Sequence, residues 1–344
     1  MTRNRHRIVR MARSAVLGSV VALITSMAGA IAAVGPAGTP RLPGWYSLSP
    51  LPEPRVAAPL VACGGKLYMF GGVTATSPQT RSVLAYDTAA NSWTQLPDYP
   101  GPPIRSASAI CITGYVYLLG GHLYDYAISD QLWRFDPQSG TWEQRTSIPE
   151  ARLQASVQEV SGRIYVVGGR TTPAWQYRST MLVYDPSLDT NPPRSAAWSE
   201  ASSVALDTPL GDNAGVSLFG DIFTLGSYEP SVPGRFLCYS PRLDRYSVLP
   251  TTPLTAGSIV TRAGNRLWAL QGSSLWSWDY SSATSPGHSL HLVGQPDVIP
   301  PFVSQLSIPE SVSFSGFCEH DGLLFAGAGT VNGSFSDHFW LFSP

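Results

Sequence analysis

A chain of 344 residues with 32 glycines, 30 prolines and only 13% charged residues, against a usual figure of about 25%, cannot clothe long surface helices. Lys66 is its single lysine. The first 33 residues hold five arginines and no acid, so the remainder carries 17 cationic side chains against 23 carboxylates, a balance that excludes a basic phosphate-tracking stripe and hence a nucleic-acid partner.

In chain order, Arg3, Arg5, Arg7, Arg10 and Arg13 precede an apolar run from Ala15 to Ala33, the pattern of an export signal. Ala28/Ala30 and Ala30/Ala32 suit cleavage, yet 19 apolar residues also reach about bilayer length, so a cleaved signal peptide and an uncleaved signal anchor both stay open. Either one keeps the Arg-rich end cytoplasmic and delivers the rest across the membrane. The expected location is therefore secreted, periplasmic or extracellular. Residues 34–44 read as a linker, and residues 45–344 as one repeat domain.

Within that domain an aromatic precedes a Gly pair by three positions: Tyr68 before Gly71-Gly72, Tyr117 before Gly120-Gly121, Tyr165 before Gly168-Gly169. Weaker copies are Phe223 before Gly226, Trp268 before Gln271-Gly272 and Leu324 before Gly327, giving steps of 49, 48, 58, 45 and 56 residues. An aromatic-Asp pair follows each strong mark: Tyr86-Asp87, Phe135-Asp136 and Tyr184-Asp185, with Trp278-Asp279 later. Trp93, Trp142 and Tyr246 then stand six residues beyond the Asp or its Ser equivalent, and Trp198 is displaced by a loop holding Pro192-Pro193. Each unit predicts four short antiparallel strands, a blade that buries both faces only when blades are arranged radially. The sixth unit stops after Trp340-Leu341-Phe342 without its Trp strand, while Trp45-Tyr46-Ser47-Leu48 matches Trp93-Thr94-Gln95-Leu96 and has no Gly pair before it. The N-terminal strand is expected to close the last blade.

The spacing of Gly pair, aromatic-Asp and Trp resembles the kelch repeat from Trp45 to Pro344. The resemblance implies an all-β, six-bladed kelch-type β-propeller. Units one to three match strongly, and units four to six have lost parts of the pattern.

Cys63, Cys111 and Cys318 lie eight or nine residues before their Gly marks, near the ends of three innermost strands. Equivalent points on neighbouring strands are expected to exceed the roughly 7 Å limit for a disulfide, so the four cysteines are read as unpaired buried hydrophobes. His122, His288, His291, His320 and His338 show no metal spacing, and no nucleophile elbow groups a Ser with a His and an acid. No catalytic residue, metal or cofactor is assigned. Asn332-Gly333-Ser334 reads as a glycosylation sequon or as a turn.

Arg55, Arg105 and Arg152 lie 16, 15 and 16 residues before their Gly marks, at the entry to three innermost strands. Strand direction places them on the face that also carries the loops with Tyr124, Tyr126, Trp175 and Tyr177. Arginine forks with aromatic neighbours suit carboxylate recognition. The alternative is that each Arg caps loop carbonyls or pairs with an acid such as Glu53 or Glu150. Units four to six carry Leu210, Thr255 and Ser311 instead, so an anionic site would be lopsided. Better-known kelch propellers use arginine at this repeat position to recruit acidic peptides, and Ile104-Arg105-Ser106-Ala107 resembles that pattern. With the export pattern of the first 33 residues, the resemblance leads to the expectation of an extracytoplasmic, monomeric recognition module for a protein segment or an acidic glycan. The alternative it implies is an enzyme on an acidic sugar, such as a sialic acid epimerase, which would need a central pocket where Arg converges with a carboxylate or imidazole.

Overall fold

The computed structural model describes residues 42–171, 176–190, 195–201, 214–226, 235–249, 252–254, 257–279, 302–308 and 312–344. The segment 1–33, the first part of the linker, Trp175, Pro192-Pro193, His288, His291, Leu210, Thr255 and Ser311 lie outside the described residues. None of the helices among the described residues is long and apolar enough to cross a membrane.

Six four-stranded antiparallel sheets form the blades of a propeller. Blade one runs outward through Leu60–Cys63, Lys66–Phe70, Val83–Asp87 and Ser92–Leu96, and blade two through Ser108–Ile112, Tyr115–Leu119, Leu132–Asp136 and Thr141–Arg145. Blade three uses Ser156–Val160, Arg163–Val167, Met181–Tyr184 and Trp198–Glu200; blade four uses Ala214–Leu218, Asp221–Gly226, Arg235–Ser240 and Arg245–Leu249. Blade five uses Ile259–Ala263, Arg266–Gln271, Ser274–Asp279 and Val303–Ser304. Blade six takes Val312–His320, Leu323–Val331 and Ser334–Ser343 from the end of the chain and Gly44–Ser47 from its start.

That closure has the expected register: Trp45 pairs with Phe342 and Ser47 with Trp340. Backbone bonds from Leu48 to Phe339 and from Leu51 to Asp337 extend it. The Trp45 ring packs 5.1 Å from Phe342, and its Nε1–H donates across to the Leu306 carbonyl at 2.7 Å, tying the closing strand to blade five as well.

A strand between two neighbouring blades is covered on both faces, so it reads as a continuous apolar run. Leu67, Tyr68, Met69 and Phe70 are all buried, and they divide between two clusters, one shared with blade six and one with blade two. The described core consists of six such clusters, one at each interface between neighbours.

The repeat marks explain themselves as joints. The Gly72 N–H donates to Ile104 of the next blade and the Gly121 N–H to Arg152, at 2.9 and 2.8 Å. A Cβ on Gly71 or Gly120 would overlap those same carbonyls, and both residues hold positive φ, which only glycine adopts freely. Asp87 and Asp136 each accept backbone N–H groups two and three residues on, closing the turn to the outer strand. The tyrosines and tryptophans latch blades together. Trp93 Nε1 donates to Ser49, Trp198 Nε1 to Thr146, and Tyr239 Oη to Ala201, each a carbonyl beside the outer strand of the preceding blade. Asn332-Gly333 makes a two-residue turn between Val331 and Ser334, with both residues at positive φ.

The cysteine expectation is corrected in part. Cys63 and Cys111 form a disulfide between the inner strands of blades one and two, with Cα atoms 5.5 Å apart. Cys63 is the last residue of its strand and Cys111 the last but one of its own, so they are not equivalent positions. The stagger, with the convergence of inner strands near the axis, brings the sulfurs together. Cys238 and Cys318 are free and buried, as expected, and burial pushes both thiols well up.

Candidate functional site

The starts of the innermost strands and the loops between second and third strands share one face, here the upper face. Its arginines divide by register. Arg55 pairs with Thr74, whereas Arg105 pairs with His122 and Leu153 with Arg170. Counted from the Gly pairs, Arg55, Ile104 and Arg152 are equivalent, and Arg105 stands one place later. One place along an extended chain turns the side chain to the opposite side.

Arg55 and Arg152 accordingly point inward, at 1% and 2% exposure. Arg55 donates to the Gly71 carbonyl at 3.2 Å and to Ser82 Oγ at 2.7 Å, and it pairs with Glu53. Burial lowers its pKa against the raising effect of Glu53. Arg152 repeats the arrangement with Thr180 Oγ1 at 2.7 Å and Glu150 at 2.9 Å. There is one difference. In blade three a second arginine, Arg178, also bonds Glu150, so two guanidinium groups share one carboxylate. Arg152 Nε and Nη1 and Arg178 Nε are left buried with no hydrogen-bond partner, whereas the Arg55 site is filled. Arg170 adds a third cation on the same loop, stacked 4.8 Å from the ring of Tyr177.

Arg105 is the half-exposed one. Its Nε–H donates to His122 Nδ1 at 3.1 Å, and Gln79 Nε2 lies 3.1 Å from the same nitrogen and bonds the His122 carbonyl. An arginine N–H can only donate, so Nδ1 is the acceptor and the imidazole is neutral with its proton on Nε2. Burial first, and the Arg105 charge second, lower the His122 pKa. Tyr126 stands with its ring edge-on, 6.1 Å from the His122 ring. Tyr126 is 73% and Tyr124 49% exposed, in a short 3-10 turn whose Asp125 and Tyr126 hold φ of 57° and 62°. Two successive non-glycine residues in the left-handed region are a costly way to close a loop, and they hold two aromatic rings out to solvent.

The structure therefore brings Arg105, Tyr124 and Tyr126 together on blade two, and sets Tyr177 against Arg170 on blade three. Arg55 and Arg152 are both enclosed. Sequence reasoning overlooked Gln79, Arg170 and Arg178. Arg170 and Arg178 flank the loop that holds Tyr177, a signal that was present in the sequence.

Along the axis the inner strands line a cavity of about 280 Å³ toward the lower face, which shares part of its lining with one of about 200 Å³ above it. Its lining includes Glu159, Arg262 and Glu319. Among the described residues no three or more His, Cys, Asp and Glu side chains are grouped to hold a metal ion.

Residues 45–252 match the family described as the KLHDC2/KLHL20/DRC7 Kelch-repeats domain. The chain belongs to this kelch-repeat family. It is 25% identical over 143 residues to Kelch-like protein 35 of Mus musculus, covering 41% of this chain and 23% of that protein. It is 26% identical over 242 residues to Kelch repeat and BTB domain-containing protein 13 of Homo sapiens, covering 67% of this chain and 51% of that protein. The chain thus spans about half or less of the length of these curated relatives. Among solved structures, "Structure of YjhT" superposes with a TM-score of 0.66 at 13% identity, over 84% of this chain and 94% of that one, a likeness of fold.

In this kelch propeller the repeat marks described above serve turns and blade joints. What distinguishes the upper face is outside the repeat: the displaced Arg105, the added Arg170 and Arg178, and the projecting tyrosines.

Proposed function

We propose that this kelch propeller is a non-catalytic recognition module acting outside the cytoplasm, and that it holds an acidic protein segment on the upper face of blades two and three. The observation that carries the reading is the sharing of Glu150 by Arg152 and Arg178. The same arrangement in blade one matches one glutamate to one arginine and is satisfied. In blade three a second guanidinium, the part-exposed Arg178, is added to the pair and offers its charge to a carboxylate of the partner. Arg105, Tyr124, Tyr126 and Tyr177 supply the adjoining contact surface, with Arg55 shaping the rim from inside. The Cys63–Cys111 disulfide supports an oxidising compartment, in agreement with the export pattern of residues 1–33.

The axial cavity does set Arg262 next to a carboxylate, as the acidic-sugar reading requires, but its charge balance is against that reading. Its two carboxylates and one guanidinium make it net negative, which repels a sugar carboxylate.

The test is selection of a displayed random peptide library on the protein, with a sialylated glycan array beside it. Enrichment of Asp and Glu, with binding lost in Arg105→Ala and Arg178→Ala, is expected. Selected peptides without acidic bias, or unchanged binding in both variants, would defeat the reading. Glycan binding without peptide binding would replace the protein partner by a carbohydrate.

A further inference from the structure

The lower end of the axis has a construction of its own. Ala62, Cys111, Glu159, Ser217, Arg262 and Glu319 occupy the same register position in blades one to six, each one residue before its strand ends. All six line the cavity, so they form a ring around its lower mouth. Two residues back, and therefore on the same side of each strand, Leu60, Ala109, Val157, Gly215, Val260 and Phe317 form the throat shared by both cavities. The four polar members of the ring, Glu159, Ser217, Arg262 and Glu319, thus sit on an apolar throat; Cys111 is engaged in the disulfide.

Blades three and six are opposite one another in a six-membered ring, so Glu159 and Glu319 face each other across the axis. The hairpin turns hold both carboxylates: Glu159 Oε1 accepts from the Gly162 N–H at 2.8 Å and Glu319 Oε1 from the Gly322 N–H at 2.7 Å. Each bond leaves the second oxygen for another donor. Arg262, next to Glu319 in the ring, gives Nη1 to the Ser217 carbonyl at 3.3 Å. The ring has a net charge of −1, from two carboxylates and one guanidinium.

We propose that this mouth binds a small primary amine, with its ammonium between Glu159 and Glu319 and its apolar body in the throat. A monocation neutralises the ring. An ammonium has three donors in a compact group, which suits carboxylate acceptors on two sides. The throat offers an alkyl or aryl body aliphatic walls and the Phe317 side chain, the combination of apolar lining and few polar groups found in small-molecule sites. Arg262 opposes the bound cation and so sets a limit on affinity. The site is at the opposite end of the axis from the arginine and tyrosine loops, and it stands or falls independently of the acidic-segment reading.

The experiment is calorimetric titration of the intact protein with phenethylamine, 2-phenylethanol and 3-phenylpropanoate. Saturable binding of the amine, with neither the alcohol nor the acid binding, is expected. Glu159→Gln and Glu319→Gln, which keep an oxygen for the glycine N–H, should each weaken the amine about tenfold, as loss of one charge-assisted bond implies. Arg262→Gln should tighten it several-fold, a sign that loss of packing cannot produce. Absence of saturable amine binding, equal binding of the alcohol, or weaker binding in Arg262→Gln would overturn the proposal. Near-ultraviolet circular dichroism matching the parent establishes that each variant is folded.

Discussion

The Nε–H of Arg105 donates to Nδ1 of His122 at 3.1 Å, and the backbones of the same two residues exchange hydrogen bonds at 3.2 and 2.8 Å. The pair is locked through both main chain and side chain. It fixes the strand entry of blade two to the loop that carries Tyr124 and Tyr126.

One consequence is a pH dependence. His122 is expected to be the Nε2–H tautomer and to titrate below its ordinary value of 6.5, owing to burial and the Arg105 charge. The unfolded chain binds the proton first, so stability falls as pH drops below about 6.5 and continues to fall until the lower folded midpoint is passed. Arg105→Ala should raise the midpoint toward 6.5. Long-range nitrogen–proton NMR through a pH series reads both tautomer and midpoint, and an unchanged midpoint in the variant would refute the coupling.

The disulfide is expected to matter for stability. It closes a loop over a sequence separation of 48 residues, for which chain entropy gives about 4 kcal/mol as an upper figure. Thiol counting in denaturant should find two reactive groups before reduction, from Cys238 and Cys318, and four after it. A Cys63→Ala/Cys111→Ala variant with an unchanged melting temperature would show that the staple contributes nothing.

Ring closure makes a separate prediction. A chain beginning at Leu51 loses the four backbone pairs of Gly44–Ser47 and the Trp45 contacts with Phe342 and Leu306. Burial lost with the Trp45 and Tyr46 side chains suggests about 2–4 kcal/mol of destabilisation, and exposed strand Ser334–Ser343 becomes a free edge. Denaturant unfolding and light scattering test this. Full stability without self-association would mean that closure is decorative.

The joint between blades two and three is expected to fail in acid. Asp189 is buried, which raises its pKa, but hydrogen bonds from Tyr184 and Thr146 and the Arg145 charge outweigh this and hold it below the usual carboxylate range. Its contribution is present above the unfolded value near 3.8 and is lost as pH falls through the lower folded value. Asp189→Ala leaves Arg145 short of a buried partner and should cost about 3 kcal/mol or more. In that variant the acid-unfolding profile should also become shallower. An unaltered profile would assign the acid sensitivity elsewhere.

The blade plan was legible because its signals are local. The Gly pair, the Asp that caps a turn and the Trp that reaches one blade back recur at readable spacings, and the Trp45 strand could be matched to its repeat position without any contact being known. The candidate site was legible in location and not in detail. Arg105 at 15 residues from its Gly mark, against 16 for Arg55 and Arg152, and Cys63 at eight against nine for Cys111, were visible as numbers in the sequence. In a strand such a unit offset reverses the side of the chain, so it enclosed two arginines and left the third at the surface.

The sequence by itself determined the number of blades, their order and the way the ring closes, since these follow from periodicity and from the chemistry of turns. The tertiary structure decided which side chains meet across blades. Cys63 with Cys111, Glu150 with two arginines, and Glu159 opposite Glu319 depend on how far inner strands converge at the axis and how loops of neighbouring blades overlap. Those distances come from the packing of whole sheets, and no single repeat contains them.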